Sequence, residues 1–175
     1  MPLLTVGHGP DDRTRLGDRL TTASIEELVD VRRFPGSRRN PDVGQDSLAE
    51  WLPGRGIGYR WEPRLGGRRQ LPAGEPVADT WWTVAQFAAY AAHTRTPEFV
   101  AALDEVLDAA RARRVAVMCS ESVWWRCHRR LIADVVVLRH GLPVDHLMPD
   151  GRLSPHQPAP GAVRWPDGTV GWPAT

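Results

Sequence analysis

The stretch VAVMCSESVWWRCHRR, residues Val115 to Arg130, decides how the chain is read. Val115 to Met118 is a short β-branched, apolar run of the kind that forms a strand buried on both faces. It breaks at Cys119-Ser120-Glu121 and crosses a Trp pair. It then delivers Cys127-His128-Arg129-Arg130 to a segment in which Leu131, Ile132, Val135 and Val136 recur at helical spacing, closed by Gly141. This is a strand, a turn and a helix N-terminus with ionisable groups crowded into the turn. In open α/β sheets, ligands sit at the carboxyl ends of strands beside helix N-termini.

Upstream, the same alternation recurs. Leu3 to Val6 reads as a first strand stopped by Gly7-His8-Gly9, and Leu16 and Leu20 place one helical face within Asp11 to Thr22. Glu27 to Val31 is a second strand leading into Arg32-Arg33-Phe34-Pro35. A helix capped by Asp46 or Ser47 runs through Leu48 and Leu52, and Ile57 to Trp61 is a third strand. Pro63 to Thr80 is a Gly/Pro-rich loop of about 18 residues, longer than an ordinary connection and therefore a candidate lid or binding loop. Val84 to His93 is helical. Thr96-Pro97 starts a further helix, with Thr as N-cap and Pro at the first helical position, which ends at Arg111 to Arg114. Pro143 to Leu147 is the last strand.

Strands alternating with helices predict a single α/β domain, with a mostly parallel central sheet of about five strands flanked by helices over residues 1–148. Residues 149–175 are rich in Pro and Gly and show no periodicity, which predicts an extended, irregular C-terminal tail.

The 175 residues suffice for one domain with a substantial core. The formal net charge of +1 provides no global field toward nucleic acid or membrane. Locally the charge is uneven. The basic residues are all arginine, a bias that a GC-rich genome also produces. Two cysteines do not make a disulfide framework. No apolar run nears the roughly 18 residues that cross a bilayer, and MPLLTVGHG lacks the basic and apolar regions of a signal peptide, so a cytoplasmic protein without membrane association is expected.

A parallel sheet places the segments after each strand along one rim. His8, Asp30, Cys119, Glu121 and His128 are the candidate catalytic groups there. Arg32, Ser37, Arg38, Gly66, Gly67, Arg69, Cys127 and Arg129 are candidates for binding a substrate or anion. Arginine suits bidentate phosphate contacts, and the nearby Trp residues suit base stacking. Plainer readings stand beside these: an Asp30–Arg32 ion pair, a loop histidine at His8, and cysteines that pack as small hydrophobes. Cys119, Cys127 and His128 also allow a metal or redox site. However, C-x7-C-H is not a zinc spacing, so no metal ligands are assigned, and the sequence leaves any cofactor unknown. The C-x5-R loop of phosphatases fails because Trp125 stands where Arg is required.

TVGHG, LVDVRRFPGSRRNP, GIGYRWEPRLGGRR, FAAYAAHTRTPEF and VAVMCSESVWWRCHRRLIAD, in this order, resemble the bacterial and archaeal family called domain of unknown function 488, from about Leu3 to His156. Gly7 and His8 match its G-H-S, with Gly9 in place of Ser. Asp30, Val31, Arg32, Pro35, Ser37 and Arg38 match D-V-R-x-x-P-x-S-R. Leu65, Gly66, Gly67 and Arg69 match L-G-G-x-R. Cys119, Glu121, Cys127, His128 and Arg129 match C-x-E followed by C-H-R, and His146 matches the histidine of the closing strand. The resemblance implies a compact α/β domain and no particular reaction. The residues themselves lead us to expect an enzyme acting on a phosphate-bearing substrate, a nucleotide or nucleic acid. The alternative is a non-catalytic module that binds nucleic acid or another anion.

Overall fold

A computed structural model describes residues 1–175. The strands are β1 (Leu3–Gly7), β2 (Glu27–Asp30), β3 (Gly58–Trp61), β4 (Val115–Cys119), β5 (Val144–Leu147) and β6 (Leu153–Pro155). They form one sheet in the order β3-β2-β4-β1-β5-β6, parallel except for β6, which runs antiparallel to β5. The helices are α1 (Arg13–Thr22), α2 (Gln45–Trp51), α3 (Ala85–His93), α4 (Pro97–Ala112) and α5 (Arg129–His140). The protein is thus α/β with a mostly parallel six-stranded sheet, one strand more than the sequence suggests.

The two faces of the sheet are separated by strand parity, because successive side chains point to opposite sides. Leu4, Val6, Leu28, Ala116 and Met118 pack with Leu16, Leu20 and Leu48 of α1 and α2. Leu3, Val29, Val115, Val117 and Cys119 pack under α3, α4 and α5 against Tyr90, Phe99, Leu103 and Ile132. Local signals set the helix ends. Asp12 accepts the Arg15 amide to start α1, Thr96 accepts the Phe99 amide to start α4, and Gly141, at φ 65°, closes α5.

Two helix starts differ from the sequence reading. Helix α5 begins at Arg129 rather than Cys127, because Trp124–Arg126 form a separate 3-10 turn. Helix α2 begins after Gly44 with no side-chain cap, so neither Asp46 nor Ser47 has that role. Residues 149–175 are largely irregular, as the sequence suggests, but they are bound into the domain. There β6 extends the sheet, β7 (Val163–Arg164) pairs with β8 (Val170–Gly171), and Trp172 is wholly buried. The Trp172 indole donates to Asp134 at 2.9 Å, and its amide donates to Asp79 at 3.0 Å. A segment without periodicity can still contribute single large side chains to a core, and no periodic pattern marks them.

Candidate functional site

Register brings the strand ends level. Gly7 lies opposite Cys119, and Asp30 opposite both Met118 and Trp61. The loop after β4 folds directly over β1, so that a Cβ on Gly7 would lie 1.6 Å from the Glu121 carbonyl oxygen. Only glycine permits that crossing. The segments after β1, β2 and β4 therefore share a rim, but the candidate residues on it divide into two groups.

The first group faces α1 and α2. Asp30 has the parity of Leu28 and is fully buried. It receives Arg32 Nε at 2.8 Å, Arg32 Nη2 at 2.7 Å and the Tyr59 hydroxyl at 2.6 Å. Burial and the Asp30 charge push the Tyr59 phenol well above its ordinary range, so it stays a donor. Arg32 also donates to the Val43 carbonyl at 2.7 Å and lies 3.3 Å from His8 Nε2. His8 Nδ1 is 2.8 Å from the Gly9 carbonyl. A carbonyl only accepts, so Nδ1 carries the proton and Nε2 accepts from Arg32. Burial lowers the pKa of His8, ahead of the nearby Arg32 charge. The carboxylate, guanidinium and imidazole are thus committed to one another.

The second group lines a pocket of about 250 Å³ on the α3–α5 side. Cys119, Ser120 and Glu121 come from the end of β4 and its loop, and Arg126, Cys127 and His128 from the approach to α5. Arg33 and Phe34 follow β2, Gly67 and Arg68 come from the long loop, and Phe87 and Tyr90 come from α3. Arg32 reaches the same wall. Cys119 and Cys127 are paired sulfur to sulfur, their Cα atoms 7.5 Å apart. No cluster of three or more His, Cys, Asp or Glu side chains is placed to hold a metal ion.

His128 Nε2 is 3.0 Å from the Val31 carbonyl, so this nitrogen carries the proton and Nδ1 presents a lone pair, 3.5 Å from Cys127 Sγ. Burial brings the His128 pKa down to about 4, which keeps the ring neutral near pH 7. Gly67 lies flat against this ring, where a Cβ would be 3.1 Å from Nδ1. A Cβ on Gly66 would be 2.6 Å from the Arg33 amide nitrogen. Close backbone approach accounts for both glycines.

The remaining predicted residues stand outside the pocket. Arg69 staples the long loop, donating to the Gly66 and Pro63 carbonyls at 3.0 and 2.8 Å. Ser37 accepts the Asn40 amide in a turn at 3.1 Å, and Arg38 is exposed on that loop. Arg129 is buried behind the pocket, where it donates to the Glu121 carbonyl at 2.8 Å and to the Thr5 hydroxyl at 3.1 Å. Burial lowers its pKa to about 9.

From Thr5 a buried chain runs on to His146 Nδ1 (2.6 Å), from His146 Nε2 to His156 Nδ1 (2.9 Å), and from His156 Nε2 to Asp134 (2.6 Å). Arg129 can only donate and Asp134 can only accept. With a donor at one end and an acceptor at the other, every bond points the same way, from guanidinium to carboxylate. Trp124 stacks on His146, with ring centroids 4.3 Å apart and planes at 5°.

Arg33, Arg68 and Arg126, three of the arginines that the sequence places in the rim loops, line the pocket. They have no carboxylate within 4.0 Å, and the lone carboxylate in the wall of this pocket belongs to Glu121. Phe34 is 62% exposed between the Arg33 and Arg68 guanidiniums, at 5.5 and 5.7 Å from its ring centre. Arg68 has φ 58°, a left-handed conformation that costs a non-glycine residue free energy and clusters at ligand sites. The rows of arginines and the length of the loop were the available signals. Phe87 and Tyr90 could be read only as one face of a helix.

Fold and pocket together define an α/β protein with a cationic hollow, walled by two paired cysteines, at the carboxyl rim of a parallel sheet. A family model described as Domain of unknown function DUF488 matches residues 12–136, and the chain belongs to that family. No curated protein and no solved structure matches the chain. No helix is long and apolar enough to cross a membrane.

Proposed function

We propose that this pocket binds a phosphate-bearing substrate, a nucleotide or a nucleic-acid end, and that the protein is an enzyme acting on it in the cytoplasm. One observation carries the reading: three guanidiniums without carboxylate partners line a single pocket at the carboxyl ends of parallel strands. Such groups bind phosphate oxygens with charge-assisted hydrogen bonds. Phe34 offers a face on which a base can stack. Glu121 and the lone pair of His128 Nδ1 are the proton-transfer groups in the same wall.

A second reading, a non-catalytic anion-binding module, draws on the engagement of Asp30, Arg32 and His8 with one another on the opposite face. Thermal shift and calorimetry with pyrophosphate, nucleoside diphosphates and 5′-phosphorylated oligonucleotides test the binding. Stabilisation that weakens with salt, and falls about tenfold or more in affinity in Arg68→Ala and Arg126→Ala, is expected. Binding that ignores both salt and these substitutions overturns the proposal. Release of phosphate or nucleotide that is lost in Glu121→Gln separates the enzyme from the module.

A further inference from the structure

We propose that Cys119 and Cys127 are a redox-active dithiol that reduces small disulfides bearing carboxylate or phosphate groups, with Cys127 as the attacking thiol and Cys119 resolving. The chain has two cysteines, one ending β4 and one preceding α5, and the fold brings both into the wall of the same pocket. They are 2% and 5% exposed, so a small molecule reaches them through the pocket or not at all.

The two sulfurs have different surroundings. Cys127 Sγ lies 3.5 Å from His128 Nδ1, a nitrogen left unprotonated because the Val31 carbonyl holds the ring proton on Nε2. It also receives the Arg129 backbone N–H at 3.5 Å, in the first turn of a twelve-residue helix. A proton acceptor, an amide donor and a helix N-terminus all favour the thiolate. Cys119 Sγ has only the Glu121 carbonyl oxygen, at 3.9 Å, which keeps it a thiol. Gly67 adds no side chain that would cover the ring.

The chemistry balances without a further reactant. Cys127, hydrogen-bonded to His128 Nδ1 and the Arg129 amide, loses its proton to water, and its thiolate attacks one sulfur of the ligand disulfide. The ligand S–S bond breaks, and the first ligand sulfur leaves as a thiolate that takes up a proton from water. Cys119 sulfur then attacks Cys127 sulfur, and the second ligand thiol leaves with the Cys119 proton. The ligand is reduced to two thiols, and the protein is oxidised to the Cys119–Cys127 pairing seen in the structure. Arg33, Arg68 and Arg126 at the mouth make an anionic disulfide the favoured ligand. This selectivity shares those guanidiniums with the phosphate reading but does not require a phosphate ligand.

The test uses protein reduced with a phosphine, freed of reductant, and mixed with dithiobis-nitrobenzoate, an aromatic disulfide carrying two carboxylates. Release of two thionitrobenzoates per chain is expected, leaving protein without adduct and lighter by two hydrogens. Cys119→Ser should release one and retain a mixed disulfide at Cys127. Cys127→Ser should react about tenfold more slowly or less. The rate with this anionic disulfide, relative to cationic cystamine, should be about tenfold or more higher in native protein than in urea-unfolded protein, a comparison that needs no variant.

Two stable adducts on native protein, or one rate ratio for both states, overturns the inference. Protein that binds pyrophosphate yet forms two adducts loses this inference alone. Protein that completes the exchange without binding any phosphate ligand loses the preceding proposal alone.

Discussion

Acid should unfold this protein sooner than its carboxylates require, with His146 a main cause. The ring is wholly buried, and burial, then the neighbouring His156 and Arg129, bring its pKa to about 2. In the unfolded chain it takes up a proton near 6.5. Between those values the unfolded state binds one proton more than the native state. The stabilisation is therefore fully present above about pH 6.5 and is lost as pH falls, at about 1.4 kcal/mol per pH unit. From about pH 6.5 to 4.5 His146 alone removes about 2.3 kcal/mol, a large share of the total stability of a domain this size. His128, held to about 4, and His8, also lowered, act in the same direction, so the whole protein should show a steeper dependence.

Urea unfolding at intervals between about pH 7.5 and 4.5 measures the slope. In His146→Gln, which keeps a donor and an acceptor but cannot titrate, the slope should be shallower by about 1.4 kcal/mol per unit. Nitrogen shifts of the His146 ring should show Nε2 protonated across the range in folded protein. Parallel pH profiles for wild type and variant, or a folded-state midpoint near 6.5, would refute the reasoning.

Further outcomes concern the frame around the pocket. Gly7→Ala puts a methyl 1.6 Å from the Glu121 carbonyl and 2.9 Å from Arg129, so a loss of about 3 kcal/mol, or failure to fold, is expected in denaturant titration. Tyr59→Phe removes a charge-assisted bond to buried Asp30 and should cost about 1.5–3 kcal/mol by the same measurement. Unchanged stability would mean that the bond adds nothing. Trp172→Ala should cost about 3–5 kcal/mol, a value no surface tail could produce.

Most of the scaffold was legible from sequence because its signals are local. The apolar run from Val115 to Met118, the helical spacing of Leu131 to Val136, the Thr96-Pro97 start and the Gly141 stop act within one strand or one turn, and each appears in the structure close to where it was read. The shared rim followed from parallel strands. Its internal division was less visible. Asp30 and Cys119 both end strands at that rim, but they point to opposite faces, with Asp30 toward α1 and α2 and Cys119 toward α3 and α5.

The amino-acid order by itself determined an α/β fold, its family, and a rim rich in arginine, cysteine and histidine. Tertiary structure decided which of those groups remain available. Arg32 and Arg69 are already engaged, Arg129 is buried behind the wall, and Arg68 and Arg126 are left at the pocket beside Arg33, which gives one N–H to the Arg68 carbonyl. It also joined Cys119 to Cys127 and set Trp172 in the core. The physical reason is range. Backbone preference acts over a few residues, whereas whether a charge is free depends on a partner that may lie a hundred residues away in the chain, and only packing brings the two together.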